Sequence, residues 1–229
     1  MIVTARDEQE RIAGTLLALS TAFPGAAIVV ADDGSRDRTP AIARAHGAAV
    51  IQARRRGKGA AATRAATAVL QGFGPGASHA VVLLCDADLG ASAAGLGPLV
   101  AAVAAGEGEL AVAAFSRRVG GGFGAAVGFA RWALARETGL ALRAPISGQR
   151  ALRADALAAV LPFAHGFGME LGMTIDATRG GYRVVEVELD LEHRPSGRTP
   201  AGFLHRGHQA VDLLRVFATR ARSGGAHRQ

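Results

Sequence analysis

The residues best able to do chemistry in this chain are acidic, and they recur just beyond short apolar runs. Asp86-Ala87-Asp88 follows Ala80 to Cys85; Asp32-Asp33-Gly34-Ser35, with Asp37 farther on, follows Ala26 to Ala31; Asp7 and Glu8 follow the opening Met1 to Ala5. In an open parallel sheet, ligands gather at the carboxyl ends of the strands, so these carboxylates are predicted to share one edge. Crowding them costs roughly 1 kcal/mol or more for each close like-charged pair. A bound cation and the hydroxyls of a sugar or nucleoside offset that cost. Residues i and i+2 of an extended strand point the same way, so Asp86 and Asp88 can both reach one hard cation, Mg2+ or Mn2+, and a neighbouring ribose. The same pair also reads as a helix cap or a solvated strand end.

Positioning these groups requires a repeated strand-then-helix rhythm, the pattern of a mostly parallel sheet wrapped by helices. Strands are predicted at Met1 to Ala5, Ala26 to Ala31, Ala48 to Gln52, His79 to Cys85 and Leu110 to Phe115. Between them lie helices at about Glu8 to Ser20, Asp37 to His46 and Lys58 to Gln71; the first carries Ile12, Thr15, Leu16 and Leu19 on one face. The uncharged stretch Leu89 to Gly106 reads as a loop and an Ala-rich helix, its glycines and Pro98 being poor material for a bilayer span. Beyond the glycine-rich run Gly120 to Gly128, helices are predicted through Arg131, Trp132 and Arg136, at Asp155 to Leu161 and at Gly168 to Thr178, then a strand at Tyr182 to Leu191. A final helix near Ala201 to Arg222 has Phe203, Ala210, Leu213, Leu214 and Phe217 in one stripe, before a polar tail at 223–229. No repeat or linker divides the chain. We read 1–222 as a single domain, with a first half at 1–115 and a second at 116–222.

With 229 residues and 49% hydrophobic content, a sizeable core is assured, and with only 5% aromatics it must be built from Ala, Val and Leu. The one cysteine, Cys85, excludes an intramolecular disulfide and reads as a small buried residue. The start lacks the basic n-region and long apolar stretch of a secretory signal, so a cytoplasmic location is expected. A net charge of +7, with a pI near 11.2, suits phosphorylated ligands, an anionic membrane surface or nucleic acid, and equally a compositional bias toward arginine. A nucleic-acid-binding protein is a remote reading, because basic and aromatic residues do not interleave and the acidic strand ends would repel a phosphate backbone.

Val30-Ala31-Asp32-Asp33-Gly34-Ser35-Arg36-Asp37-Arg38-Thr39 resembles the nucleotide-binding signature of family 2-type glycosyltransferases. Thr4-Ala5-Arg6-Asp7-Glu8 resembles that family's opening Pro-Ala-x-Asn-Glu, with Thr4 for the proline and Asp7 for the asparagine. Arg56-Gly57-Lys58-Gly59-Ala60 is similar to its Lys-Gly turn, where a cation and helix-start amides can meet phosphate, and the DxD at Asp86 to Asp88 falls where the family has one. Ile146-Ser147-Gly148-Gln149-Arg150 resembles the acceptor element of dolichyl- and polyprenyl-phosphate sugar synthases. Gly166-Phe167-Gly168-Met169-Glu170-Leu171-Gly172, with Glu192-His193-Arg194, is closer to glucosyl-3-phosphoglycerate synthases.

The resemblance implies the GT-A fold, a mixed α/β sheet, mostly parallel and flanked by helices. It also implies a metal-dependent hexosyl transfer from a nucleotide-diphosphate sugar, UDP-linked by preference. The implied acceptor is a small phosphorylated molecule such as 3-phosphoglycerate; the alternative is a polyprenyl phosphate at the membrane surface. Ala5, Glu8, Asp32, Asp33, Lys58 and Asp86 are then expected at the nucleotide, with Lys58 neutralising diphosphate. Asp88 is expected to bind Mg2+ or Mn2+ directly, with Asp86 and His193 contributing. Ser147, Gly148, Arg150, Arg194 and Arg198 are expected at the acceptor. Asp88 and Glu170 are the catalytic candidates, Glu170 orienting or deprotonating the acceptor hydroxyl. Plainer roles compete: Glu170 as the partner of Arg150 or Arg179, His193 as an exposed or carboxylate-bound histidine. His205 and His208 fit an anion-binding basic face better than a metal site. A peripheral membrane contact of the C-terminal helix, at the inner face of the membrane, and a homodimer stay open.

Overall fold

The computed structural model describes residues 1–54, 56–74, 76–115 and 124–190, together with 214, 216, 217, 219 and 220. Seven strands form one sheet: β1 Ile2–Ala5, β2 Val29–Asp32, β3 Ala49–Gln52, β4 Val81–Asp86, β5 Leu110–Phe115, β6 Arg150–Arg153 and β7 Val184–Leu189. Their order is β3-β2-β1-β4-β6-β5-β7. Every pairing is parallel except those of β6, which runs antiparallel to both β4 and β5. The helices are α1 Ile12–Ala22, α2 Thr39–Ala45, α3 Lys58–Gln71, α4 Gly97–Ala104, α5 Gly124–Thr138, α6 Ala154–Ala159 and α7 Met169–Arg179. The mixed, mostly parallel α/β sheet expected from the sequence is the sheet observed.

Strand residues alternate between two cores, as a period of two dictates. Ile2, Val82, Leu84, Leu110 and Val112 face one side, where Ala61, Ala62, Ala65 and Ala66 of α3 and Leu171, Met173 and Ile175 of α7 cover them. Val3, Leu83, Cys85, Ala111 and Ala113 face the other, under Ile12, Leu16 and Leu19 of α1 and Leu99 and Val103 of α4. The alanine face of α3 lets its backbone lie close to the sheet, so the N-terminus of that helix, and Lys58 with it, reaches the strand tips.

Three differences from the sequence reading have physical causes. β6 was not predicted: four residues bounded by Arg150 and Arg153 lack any apolar alternation, and pairing on both sides is what makes them a strand. α1 begins at Ile12 and not near Glu8, because Glu8 and Gln9 donate their amides to Thr39 Oγ1 (2.8 Å) and Asp37 Oδ2 (3.1 Å), and Asp7 turns the chain at φ 54°. The first turn of the expected helix is thus a loop that faces α2. The stretch after Asp88 is a 3-10 segment, Gly90–Leu96, running into α4. Because β6 comes from the second half and lies between β4 and β5, the halves drawn at 115 and 116 share one sheet.

Candidate active site

The tips of β1, β2 and β4 and the start of α3 converge where the parallel sheet order requires. Asp86 ends β4 beside Thr4 of β1, whose hydroxyl donates to Asp86 Oδ1 at 2.8 Å. Lys58, the first residue of α3, places Nζ 2.7 Å from Asp86 Oδ1 and 2.8 Å from Glu170 Oε1. Gln149 donates Nε2 to Asp86 Oδ2 at 3.1 Å. Burial alone would lower the Lys58 pKa, but the two carboxylates outweigh it and hold the ammonium above its usual range. Burial alone would raise Asp86; Lys58, Thr4 and Gln149 outweigh it and keep the carboxyl below its ordinary value. Asp86 and Glu170 share the Lys58 ammonium.

Glycines make this approach possible. A Cβ on Gly148 would stand 2.9 Å from Lys58 Nζ and 3.1 Å from Asp86 Cγ. A Cβ on Gly59 would stand 3.0 Å from the carbonyl carbon of Ala164, so only glycine lets α3 start against the segment that leads into α7 and Glu170. Gly57, at φ 91°, turns the chain into that helix.

Asp88 is differently placed. Its side chain is 37% exposed, and among the described residues its ion-pair contact is Arg11, at 4.0 Å. The turn carrying it is braced by Thr15 of α1, whose hydroxyl donates to Ala87 O (2.7 Å) and accepts from Gly90 N (2.8 Å). Glu8 lies in the field of this edge: burial first, then Asp88, with Asp86 and Asp37 adding, push its pKa up to about 7 against the pull of Arg11. Burial is the larger cause, and the neighbouring carboxylates add a negative field at the strand tips that a cation would relieve. Among the described residues no three His, Cys, Asp or Glu side chains form a metal cage. Mg2+ needs none, since it binds through one or two carboxylates together with phosphate oxygens and water. An exposed hard carboxylate at Asp88 fits such an ion, whereas Asp86 has both oxygens engaged.

Other expected site residues are engaged within the protein. Asp32 is fully buried and accepts from the amide and hydroxyl of Ser35, so it builds the turn after β2. Asp33 is buried too, its Oδ1 accepting from Arg56 N and Gly57 N at 2.9 Å each. Asp33 thereby holds the loop that delivers Lys58. Ala5 is buried at the β1 tip, its carbonyl accepting from Asp33 N at 3.0 Å. Arg150 is not at an open surface: it is 1% exposed and donates to Ser147 O, Thr174 Oγ1 and Pro145 O, each at 2.8 Å. It braces the Ser147-Gly148 turn from inside, and burial lowers its pKa to about 10. Ser147 is buried and donates toward Gln149 Oε1 at 3.4 Å. Glu170 is buried as expected of an acid in apolar surroundings, and its ion-pair partner is Lys58, not Arg150 or Arg179. Arg179 pairs with Glu137 instead. His193, Arg194 and Arg198 lie outside the described residues, as do Phe203, His205 and His208.

Thr4, Thr15 and Gln149 were not foreseen as site residues. Thr15 looked like one position of an apolar helix face, and nothing local marks Gln149, whose partner lies 63 residues away.

Known proteins share this fold. The profile of glycosyl transferase family 2 matches residues 1–155. Among solved structures, glucosyl-3-phosphoglycerate synthase from Mycobacterium tuberculosis in complex with Mg2+ and uridine-diphosphate superposes with a TM-score of 0.76 at 27% identity, covering 96% of this chain and 77% of that one. The same enzyme in complex with Mn2+, uridine-diphosphate-glucose and phosphoglyceric acid gives a TM-score of 0.69 at 26% identity, over 95% and 78% of the two chains. A comparison with curated proteins gave no match.

Proposed function

This chain belongs to glycosyl transferase family 2 and is a glycosyltransferase, and from that premise we propose that it moves a hexosyl group from a UDP-sugar to a small phosphorylated acceptor of the 3-phosphoglycerate type. The observation that carries the reading is the Lys58 bridge. One ammonium joins Asp86, at the tip of a donor-side strand, to Glu170, on a helix of the half expected to hold the acceptor.

In this reading Lys58 meets the diphosphate at the start of α3, where free amides also face it. Asp88 and the diphosphate oxygens hold Mg2+ or Mn2+, with His193 as a further ligand. When bound, the divalent ion takes up the charge that develops on the departing nucleotide. Asp86 stays pinned by Thr4, Lys58 and Gln149, which keeps the Lys58 ammonium aligned. Glu170 accepts a hydrogen bond from the acceptor hydroxyl and orients it toward the sugar. Ser147 and Gly148, held from inside by Arg150, form the floor between the two substrates; Arg194 and Arg198 supply charge for the acceptor phosphate.

A polyprenyl phosphate acceptor draws less support. Of the stripe that would face a bilayer, Phe217 lies 5.9 Å from Phe129 and 5.1 Å from Trp132, centroid to centroid, and neighbouring Val216 is buried. No helix among the described residues is long and apolar enough to cross a membrane. Incubation with UDP-glucose, Mn2+ and 3-phosphoglycerate, followed by mass spectrometry, is expected to yield a glucosylated phosphoglycerate and UDP. Transfer to a polyprenyl phosphate in vesicles, with none to 3-phosphoglycerate, would overturn the acceptor assignment.

A further inference from the structure

The loop 139–149 joins α5 to β6 and carries the Ser147-Gly148 turn that lies against Lys58 and Asp86. Two side chains from the sheet grip it. Arg150 holds Pro145 O and Ser147 O, at 2.8 Å each. Glu186 of β7 holds the residues just before them: its Oε1 accepts from Ala144 N at 2.7 Å, and its Oε2 accepts from Arg143 N and Arg143 Nε at 3.0 Å each. Arg131 of α5 adds a third hold, donating to Arg143 O through Nε at 3.1 Å and through Nη2. The Ala144 carbonyl in turn accepts from Ser147 N at 3.1 Å, so the grip on Ala144 passes straight into the turn.

Sheet register explains how two distant residues hold one loop. Glu186 is paired with Val112 of β5, Val112 with Arg150 of β6, and Arg150 with Leu84 of β4, two residues before Asp86. Residues in register share a face of the sheet. Glu186 and Arg150 therefore stand on the same side, two strand spacings or about 10 Å apart. Glu186 is only 12% exposed, so its carboxylate gives up much of its water, and among the described residues the bonds that replace it come from Arg143 and Ala144. Glu188, on the same strand, is different: it is 53% exposed and meets the Arg143 guanidinium at 3.1 Å, with no bond to the backbone of the loop among the described residues.

We infer that Glu186 is a positioning residue for acceptor binding, acting from the edge of the sheet through the backbone of Ala144 to hold the Ser147-Gly148 turn in place. It touches no substrate itself. Its removal leaves the amides of Arg143 and Ala144 without their acceptor, and the loop is then held by Arg150 alone at its inner end. The donor side is anchored separately, because Thr4 and Lys58 fix Asp86 and Asp33 fixes the approach to Lys58. The inference rests on the reading of this turn as the floor of the acceptor site.

Initial rates with UDP-glucose, Mn2+ and 3-phosphoglycerate, measured on the wild type, Glu186→Ala, Glu186→Gln and Glu188→Ala, test it together with calorimetric UDP binding and hydrogen exchange of the 139–149 segment. Glu186→Ala is expected to raise the acceptor KM about tenfold and to speed exchange in 139–149, while UDP affinity stays within about twofold of the wild type. Glu186→Gln keeps one acceptor for Ala144 N and should recover part of the loss; should the alanine variant fail to fold, the same split, at about threefold, is read from Glu186→Gln. Glu188→Ala removes an exposed ion pair and should leave all three measurements unchanged. Equal losses in acceptor KM and UDP affinity, or an unchanged acceptor KM with a lowered Tm, would make Glu186 a merely structural residue and overturn the inference, as would unaltered exchange in 139–149. A wild type that binds UDP but transfers nothing to 3-phosphoglycerate, with exchange still faster in Glu186→Ala, would strike at the acceptor reading and leave the hold on the loop standing.

Discussion

Replacing Gly148 with alanine probes the closest approach in the site. The new methyl would lie 2.9 Å from Lys58 Nζ and 3.1 Å from Asp86 Cγ, and nearer still to Asp86 Oδ2. Neither neighbour can retreat without loss, since Asp86 is held by Thr4 and Gln149 and the ammonium by Glu170. Restoring ordinary contact takes about 1 Å of movement. Opening the ion pair from its present 2.7 Å by that amount weakens it by about 1.6 kcal/mol at an effective dielectric of about 20. Misalignment of the charge-assisted hydrogen bond brings the loss to about 2 kcal/mol. For a chain of 229 residues that lowers Tm by about 4–8 °C. Circular dichroism melting measures it, with Gly128→Ala as the control: a Cβ there meets nothing within 4 Å, and removing a glycine from the interior of α5 should stabilise by about 0.5–1 kcal/mol. If Gly148→Ala melts within a degree of the wild type and keeps its UDP affinity, the packing of this turn against the Lys58 pair is wrong.

Gly59→Ala should be harsher, because the added carbon meets a backbone carbonyl at Ala164; we expect a loss of more than about 2 kcal/mol in urea unfolding, and an unchanged midpoint would refute the close packing of α3 on that segment. Thr15→Val removes the brace on the Asp88 turn and leaves Ala87 O and Gly90 N without their partner, for a cost of about 2 kcal/mol and a weaker Mn2+ requirement in UDP titrations. Glu8 titrates near 7 in the folded chain, above an unfolded value of 4.5, so its contribution is fully present below the unfolded value and is lost as pH rises toward 7. Without added metal, Glu8→Gln should therefore be more stable than the wild type at pH 8, by about 1 kcal/mol after discounting for solvent screening, and the gap should close by pH 5. A gap that widens toward acid would mean the sign is wrong.

Much of the fold could be read from local pattern. The bounds of α3 at Lys58 and Gln71, and of β5 at Leu110 and Phe115, agree with the predicted ones, because an alanine-rich helical run and a short continuous apolar run end at glycine or at a change of polarity. β6 escaped because its strand character comes from neighbours on both sides and not from its own residues. At the site, sequence motifs located the acidic edge, Lys58 and Glu170, but not which carboxylates are buried. Asp32 and Asp33 are adjacent and chemically alike, and only the backbone amides of Ser35, Arg56 and Gly57 show that both turn inward. The bond from Lys58 to Glu170 joins residues 112 apart, and that from Thr4 to Asp86 residues 82 apart. Periodicity reports which face of an element is buried; it carries no information about which polar groups meet across such separations.

In the proposed function, Asp88 and Lys58 jointly hold a metal-bound nucleoside diphosphate. Calorimetric titration of UDP into the wild type, Asp88→Asn and Lys58→Met, each with and without Mn2+, tests it most directly. Tight binding is expected only of the wild type with Mn2+, with at least a tenfold loss in each variant. UDP affinity that is indifferent to Mn2+, or retained in full by Asp88→Asn, would contradict it.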